Sequence, residues 1–121
     1  MTEHSALQQL AADVCVPIDG QYSLLEEGQK EQLAIILPAS WQVINDRLST
    51  VYRFDNYARS LQTINQIAEL AEQQNHHPRL VLEWGAVSIE IWTHVVNGLA
   101  RGDFVFAAKT AILMMANDHK N

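Results

Sequence analysis

The segment that leaves the fewest choices of fold runs from Asp55 to Trp92, "DNYARSLQTINQIAELAEQQNHHPRLVLEWGAVSIEIW". In its first half Tyr57, Leu61, Ile64, Ala68 and Ala71 recur three and four residues apart, which predicts one helix capped by Asp55 with those side chains on its buried face. Pro78 cannot continue that helix, and it biases His77 towards an extended backbone. Beyond it "LVLEW" and "AVSIEIW" predict two strands joined about Gly85-Ala86. In the second, Val87, Ile89 and Ile91 alternate with Ser88, Glu90 and Trp92, the pattern of a half-buried antiparallel strand.

The rest of the chain extends this unit. In "SLLEEGQKEQLAIIL", Ser23 and Glu26 make a capping box for a helix ending before Pro38, weakened by Gly28. "WQVINDRLSTVYRF" reads as two short strands joined at the turn pair Asn45-Asp46. A last helix, Arg101 to Ala116, offers Phe104, Ala107, Ala108, Ala111, Ile112 and Met115 to the core. Residues 1–20 read as an N-terminal extension holding one short helix, Ala6 to Asp13, and ended by the turn-forming "VPIDGQ". Residues 21–121 make the domain, in the order helix, two strands, helix, two strands, helix. The expected class is α+β: a single four-stranded antiparallel sheet with helices packed on one face. Such a sheet keeps free edges and an uncovered face, which invites self-association.

A length of 121 residues fits one domain able to bury a core, and 48% hydrophobic with 18% charged residues is a globular composition. The net charge of −6 argues against nucleic acid as a partner, since a phosphate backbone needs a basic face. No apolar run is long enough to cross a membrane, and the first residues do not read as a secretory signal. The lone Cys15 cannot form an intrachain disulfide and fits a cytoplasmic protein; as a nucleophile it has no support from its surroundings in the sequence.

Histidine is scarce, with five in the chain, and His76-His77 stand together before the hairpin. Adjacent imidazoles diverge and no second cysteine exists, so a metal site is disfavoured. No nucleophile elbow and no glycine-rich phosphate cradle is present. General acid–base chemistry suits imidazole best, because its ordinary pKa of ~6.5 makes it donor and acceptor near neutrality. His94 follows the second strand of the hairpin, so pairing brings it towards His76 and His77. Glu72, one helical turn before His76, is placed to orient that ring. Taken singly, each has an ordinary explanation: a polar helix exit, a solvated Glu72, a core Trp84, and an Asp103 complementing the dipole of the last helix.

Their order is less ordinary: Glu72, His76-His77-Pro78, Trp84, His94 and Asp103. This series closely resembles the signature of the pterin-4a-carbinolamine dehydratases, also known as dimerisation cofactors of a homeodomain transcription factor. "LPASW", "VYRFDNYARSLQTINQIAELAEQQNHHP" and "THVVNGLARGDFVFAAKTA" extend the resemblance over roughly residues 24–115. "LEWGAVSIEIWTHVVNGLARGDF" looks especially like the bacterial branch associated with phenylalanine hydroxylase. Val95, Arg79 and Ala100 depart from the residues common at their positions.

The resemblance implies loss of water from 4a-hydroxytetrahydropterin, the product left by aromatic amino acid hydroxylases, to give quinonoid dihydropterin for recycling. It implies no cofactor and no metal. His76 and His94 would be the acid/base pair and His77 would hold the pterin. Glu72 and Asp103 would orient imidazoles or contact the pterin edge, and Trp84 would pack by the site or support the sheet. It also implies a homodimer or homotetramer, with an aromatic amino acid hydroxylase as metabolic partner. The competing expectation is a non-catalytic protein-binding module, acting on a transcription factor or on a pterin-dependent hydroxylase.

Overall fold

The structure, a computed structural model, describes residues 3–118. Its elements in chain order are α1 (Glu3–Ala11), α2 (Glu27–Ile36), β1 (Gln42–Ile44), β2 (Arg47–Arg53), α3 (Tyr57–Gln74), β3 (Arg79–Glu83), β4 (Ala86–Ile91) and α4 (Arg101–Asp118). A single 3-10 turn, His94–Val96, lies between β4 and α4. The four strands form one antiparallel sheet in the order β1-β2-β4-β3, the α+β architecture expected from the sequence.

Two tight turns set the strand register. Asn45 and Asp46 both take positive φ, 52° and 57°, the handedness that joins β1 to β2 without splaying them. Between β3 and β4 the turn residues are Trp84 and Gly85, since Glu83 already faces Ala86; the sequence reading placed it one residue later. Gly85 is required there: a Cβ would lie 2.8 Å from the Phe54 carbonyl oxygen, and the Gly85 carbonyl accepts from the Phe54 N–H at 2.8 Å. Leu48, Val87, Ile89 and Ile91 point from the sheet into the core. Ser49, Val51, Ser88 and Glu90 line a shallow hollow of about 380 Å³ on the opposite face.

On α3 the buried stripe is Ser60, Thr63, Ile67 and Ala71. The expected face was rotated by about one residue: Tyr57 and Leu61 are exposed at 48% and 41%. Two hydroxyl residues take their places because their polar atoms are satisfied locally. Ser60 Oγ donates to the Asn56 and Trp84 carbonyls, and Thr63 Oγ1 donates to the Arg59 carbonyl. The cap is Asn56, whose Oδ1 accepts from the Arg59 N–H at 2.8 Å, in place of Asp55. Similarly, α2 begins after Glu26, with Gln29 Oε1 accepting from the Glu26 N–H, and not at the predicted Ser23. Leu25 is held extended by its N–H donating to Leu99 O, which prevents an earlier start.

Helix α4 is buried nearly all round: Asp103, Phe104, Val105, Phe106, Ala107, Ala108, Thr110, Ala111 and Met114 are all inside. Ile112 and Met115, expected in the core, are only partly buried. Part of the cover comes from the start of the chain. Leu7, Leu10 and Cys15 join the same core cluster, Lys109 Nζ donates to Ala11 O at the end of α1, and Arg101 Nε donates to Asp13 Oδ2. Gly102 lets the Cys15 carbonyl close in on α4, where any Cβ would collide with it.

Candidate active site

The site starts from the way α3 ends. Asn75 takes a left-handed conformation (φ 50°, ψ 43°) with its N–H on Ala71 O and Glu72 O, while the His76 N–H donates to Ala71 O. This turns the chain sharply, so that the next two side chains part. His76 is buried and His77 is exposed.

Inside, His76 Nε2 lies 2.6 Å from Asp103 Oδ1. Asp103 has no exposed surface, and its Oδ2 accepts from Thr93 Oγ1 at 2.8 Å and from the Ala100 N–H at 2.9 Å. A carboxylate held by a hydroxyl and an amide on one oxygen is arranged as an acceptor on the other. These partners select an Nε2–H donating to Asp103, and in the neutral imidazole that tautomer leaves the lone pair on Nδ1. Phe106 presses edge-on to the imidazole, with ring centroids 6.2 Å apart. At the third position of α4, Asp103 also reaches back to the N–H that Ala100, lacking a side-chain acceptor, leaves to it.

His77 Nε2 is 3.1 Å from Glu72 Oε2 on the surface. Where the sequence pattern pairs Glu72 with His76, the structure pairs it with His77, because the Asn75 turn swings His76 inward. His94 is exposed, and its ring lies against Trp92 with centroids 4.5 Å apart. The residue before it, Thr93, is the one that bonds Asp103. The hairpin thus brings the two ends together through His76, Asp103 and Thr93. Trp84 is not brought to them within one chain. It is 66% exposed in the β3–β4 turn, at the other end of the hairpin from the histidines.

Sequence reasoning missed four residues here. Thr93 and Ala100 act through the fixed distance between a strand end and a helix start. Arg47, the first residue of β2, and Trp92, just past β4, meet only through the pairing of those two strands, which are not consecutive in the chain. One signal for Trp92 was visible: a large aromatic on the outward side of an alternating strand. Cys15 is buried, and burial pushes its thiol up to about 12, so it offers no thiolate. Among the described residues no group of three or more His, Cys, Asp or Glu side chains is arranged to hold a metal ion, and no helix is long and apolar enough to cross a membrane.

Residues 23–113 match the family model described as Pterin 4 alpha carbinolamine dehydratase. The chain belongs to this family. A Rubrobacter xylanophilus protein, provisionally named a pterin-4-alpha-carbinolamine dehydratase, is 41% identical over 104 residues, covering 85% of this chain and 96% of its own. A Rickettsia canadensis protein with the same provisional name is 41% identical over 101 residues, covering 83% and 93%. The fold is shared with a Brucella melitensis transcriptional coactivator/pterin dehydratase. That structure has a TM-score of 0.70 and 22% identity, covering 75% of this chain and 98% of that one. A pterin dehydratase-like protein described as a RuBisCO assembly factor in the alpha-carboxysome is more distant, with a TM-score of 0.50 and 22% identity, covering 60% and 84%.

Proposed function

We propose that the chain dehydrates 4a-hydroxytetrahydropterin by histidine acid–base catalysis, and so serves tetrahydropterin recycling downstream of an aromatic amino acid hydroxylase in a reducing cytoplasm. The observation that carries this reading is the buried Asp103–His76 pair, beside Thr93 and His94, in a chain of this family. The C4a–O bond breaks as an acid protonates the leaving hydroxyl, the ring-nitrogen lone pair moves into the new C=N bond, and a base removes a ring N–H proton; the sum is one water lost. His76 and His94 share these two proton transfers. Asp103 fixes the ring and tautomer of His76, leaving Nδ1 for the substrate. His77, steadied by Glu72, holds the polar pterin edge. Each placed acid or base is worth roughly 10²–10⁴-fold. In a spectrophotometric assay, wild-type protein accelerates loss of the carbinolamine, and His76→Ala or His94→Ala removes most of that acceleration while the fold stays intact. Full activity in either variant refutes the assignment.

The catalytic unit is residues 21–121, with residues 1–20 as an extension, and the partner is a second copy. Strand β3 is a free edge whose sequence, Arg-Leu-Val-Leu-Glu, is self-complementary when laid antiparallel on itself. Centred on Val81, that pairing sets Arg79 opposite Glu83 twice and Leu80 opposite Leu82. It also carries Trp84 to a position opposite Pro78, next to His77 of the partner subunit, giving this exposed indole a place at a site it does not reach in its own chain. A dimer built this way, alone or doubled into a tetramer, removes the unpaired edge.

The alternative is a protein-binding module without turnover. It draws on the descriptions of the two solved relatives as a transcriptional coactivator and an assembly factor. A wild-type chain inert towards the carbinolamine would favour it.

A further inference from the structure

Trp92 has no part in the reaction as set out above, and no sequence motif assigned it one. It follows Ile91, the last residue of β4, and Ile91 pairs with Leu48, so Trp92 and Arg47 lie one step beyond the end of that ladder. Arg47 places its guanidinium carbon 4.3 Å from the centroid of the Trp92 ring, the geometry of a cation over an aromatic face. The same guanidinium donates to Asp46 O at 3.1 Å and to Asn97 Oδ1 at 2.9 Å. Asn97 lies in the loop that carries His94, and the His94 ring rests against the same indole at 4.5 Å and an interplanar angle of 35°. The base of that loop is closed by Thr93 N–H donating to Gly98 O at 2.9 Å, and Gly98 packs so tightly on Asp46 that a side chain there would collide with its carboxylate.

An exposed histidine on a short loop ordinarily samples several rotamers. Here its ring has a wall, and that wall is itself held by an arginine tied to the β1–β2 turn at Asp46 and to the His94 loop at Asn97. We propose that Trp92 is a positioning residue for His94: the indole, clamped by Arg47, fixes the imidazole in the orientation from which it exchanges a proton with substrate. The inference rests on the dehydratase reading for its catalytic part, but the stack itself does not depend on that reading. Trp92 acts through His94 and is not asked to touch the pterin.

The test pairs a spectroscopic signature with kinetics. In wild-type protein the ring current of Trp92 displaces the His94 Cδ2 and Cε1 proton resonances upfield, with His94→Gln supplying the assignment. Trp92→Leu abolishes the displacement and lowers kcat by about 10–100-fold with KM nearly unchanged, since a misplacement on the order of 1 Å can cost about 10²-fold. Trp92→Phe restores a flat wall and recovers turnover to within about fivefold of wild type. Arg47→Met, which keeps the stem and removes the clamp, falls between them. Circular dichroism checks that each variant is folded, and the phenylalanine variant keeps the test open if the leucine variant is not. Wild-type His94 resonances at undisplaced positions overturn the proposal, as does a folded Trp92→Leu protein with wild-type kcat. Displaced resonances in a wild-type chain with no dehydratase turnover overturn the catalytic reading instead, and the two failures are thereby told apart.

Discussion

Replacing Asp103 by asparagine keeps the shape of a fully buried side chain and removes its charge. If the amide oxygen takes the place of Oδ2, it still accepts from Thr93 Oγ1 and the Ala100 N–H. The amide nitrogen then faces His76 Nε2 and can only donate, so the imidazole must move its proton to Nδ1. The variant keeps its hydrogen bonds but loses their charge assistance, a cost of about 1–2 kcal/mol. For a chain of this size that is a fall in Tm of roughly 4–8 °C. Turnover suffers far more, because the nitrogen facing substrate becomes a donor: a loss of about 10²–10⁴-fold is expected. Asp103→Ala is different in kind. It strands three buried polar groups at about 1–3 kcal/mol each, a sum comparable to the whole stability of an ordinary domain. Calorimetry, the dehydration assay and nitrogen-15 shifts of the His76 ring read all three quantities. An asparagine variant within threefold of wild-type turnover with the original tautomer would refute the reasoning, as would an alanine variant that melts with the wild type.

Two further predictions concern the assembly and the helix face. Glu83→Arg sets like charges opposite Arg79 in the β3–β3 pairing and should shift the protein towards monomer in sedimentation equilibrium. Arg79→Glu combined with Glu83→Arg should restore the dimer, and a dimer indifferent to both changes would exclude this edge. On α3, Ile67→Ala should cost about 2–5 kcal/mol in denaturant unfolding, whereas the exposed Leu61→Ala should cost less than about 1 kcal/mol; equal costs would mean that the face is misassigned.

The elements legible in the sequence were those whose signals are local. The alternation from Val87 to Ile91, the Asn45-Asp46 turn and the block at Pro78 each depend on neighbours within a few residues, and each reappears in the structure. The buried face of α3 was not legible to one residue, because Ser60 and Thr63 look polar until their hydroxyls are seen bonded to nearby carbonyls. The start of α2 shifted for a related reason: Leu25 is held by Leu99, a contact between residues far apart in the chain. Leu7, Leu10 and Cys15 carry no pattern that tells which helix they cover.

For the site, the residue types were visible and their pairing was not. The series of histidines and acids marked where chemistry belongs, but Asp103 was open to reading as a helix-end charge. Its 2.6 Å contact with His76 requires α4 to start where β3 begins. Glu72 went to His77 because a single left-handed residue, Asn75, intervenes. Trp84 and Trp92 could not be ranked from spacing alone, since what separates them is which end of a hairpin each occupies.

The most direct measurement is the rate of 4a-hydroxytetrahydropterin dehydration by wild-type protein and by the His76→Ala/His94→Ala double variant, against the buffer rate. Removing both proton carriers should return the rate to that of buffer in a protein that still folds. A folded double variant that keeps pace with wild type, or a wild type no faster than buffer, would contradict the assignment of this chemistry to these two imidazoles.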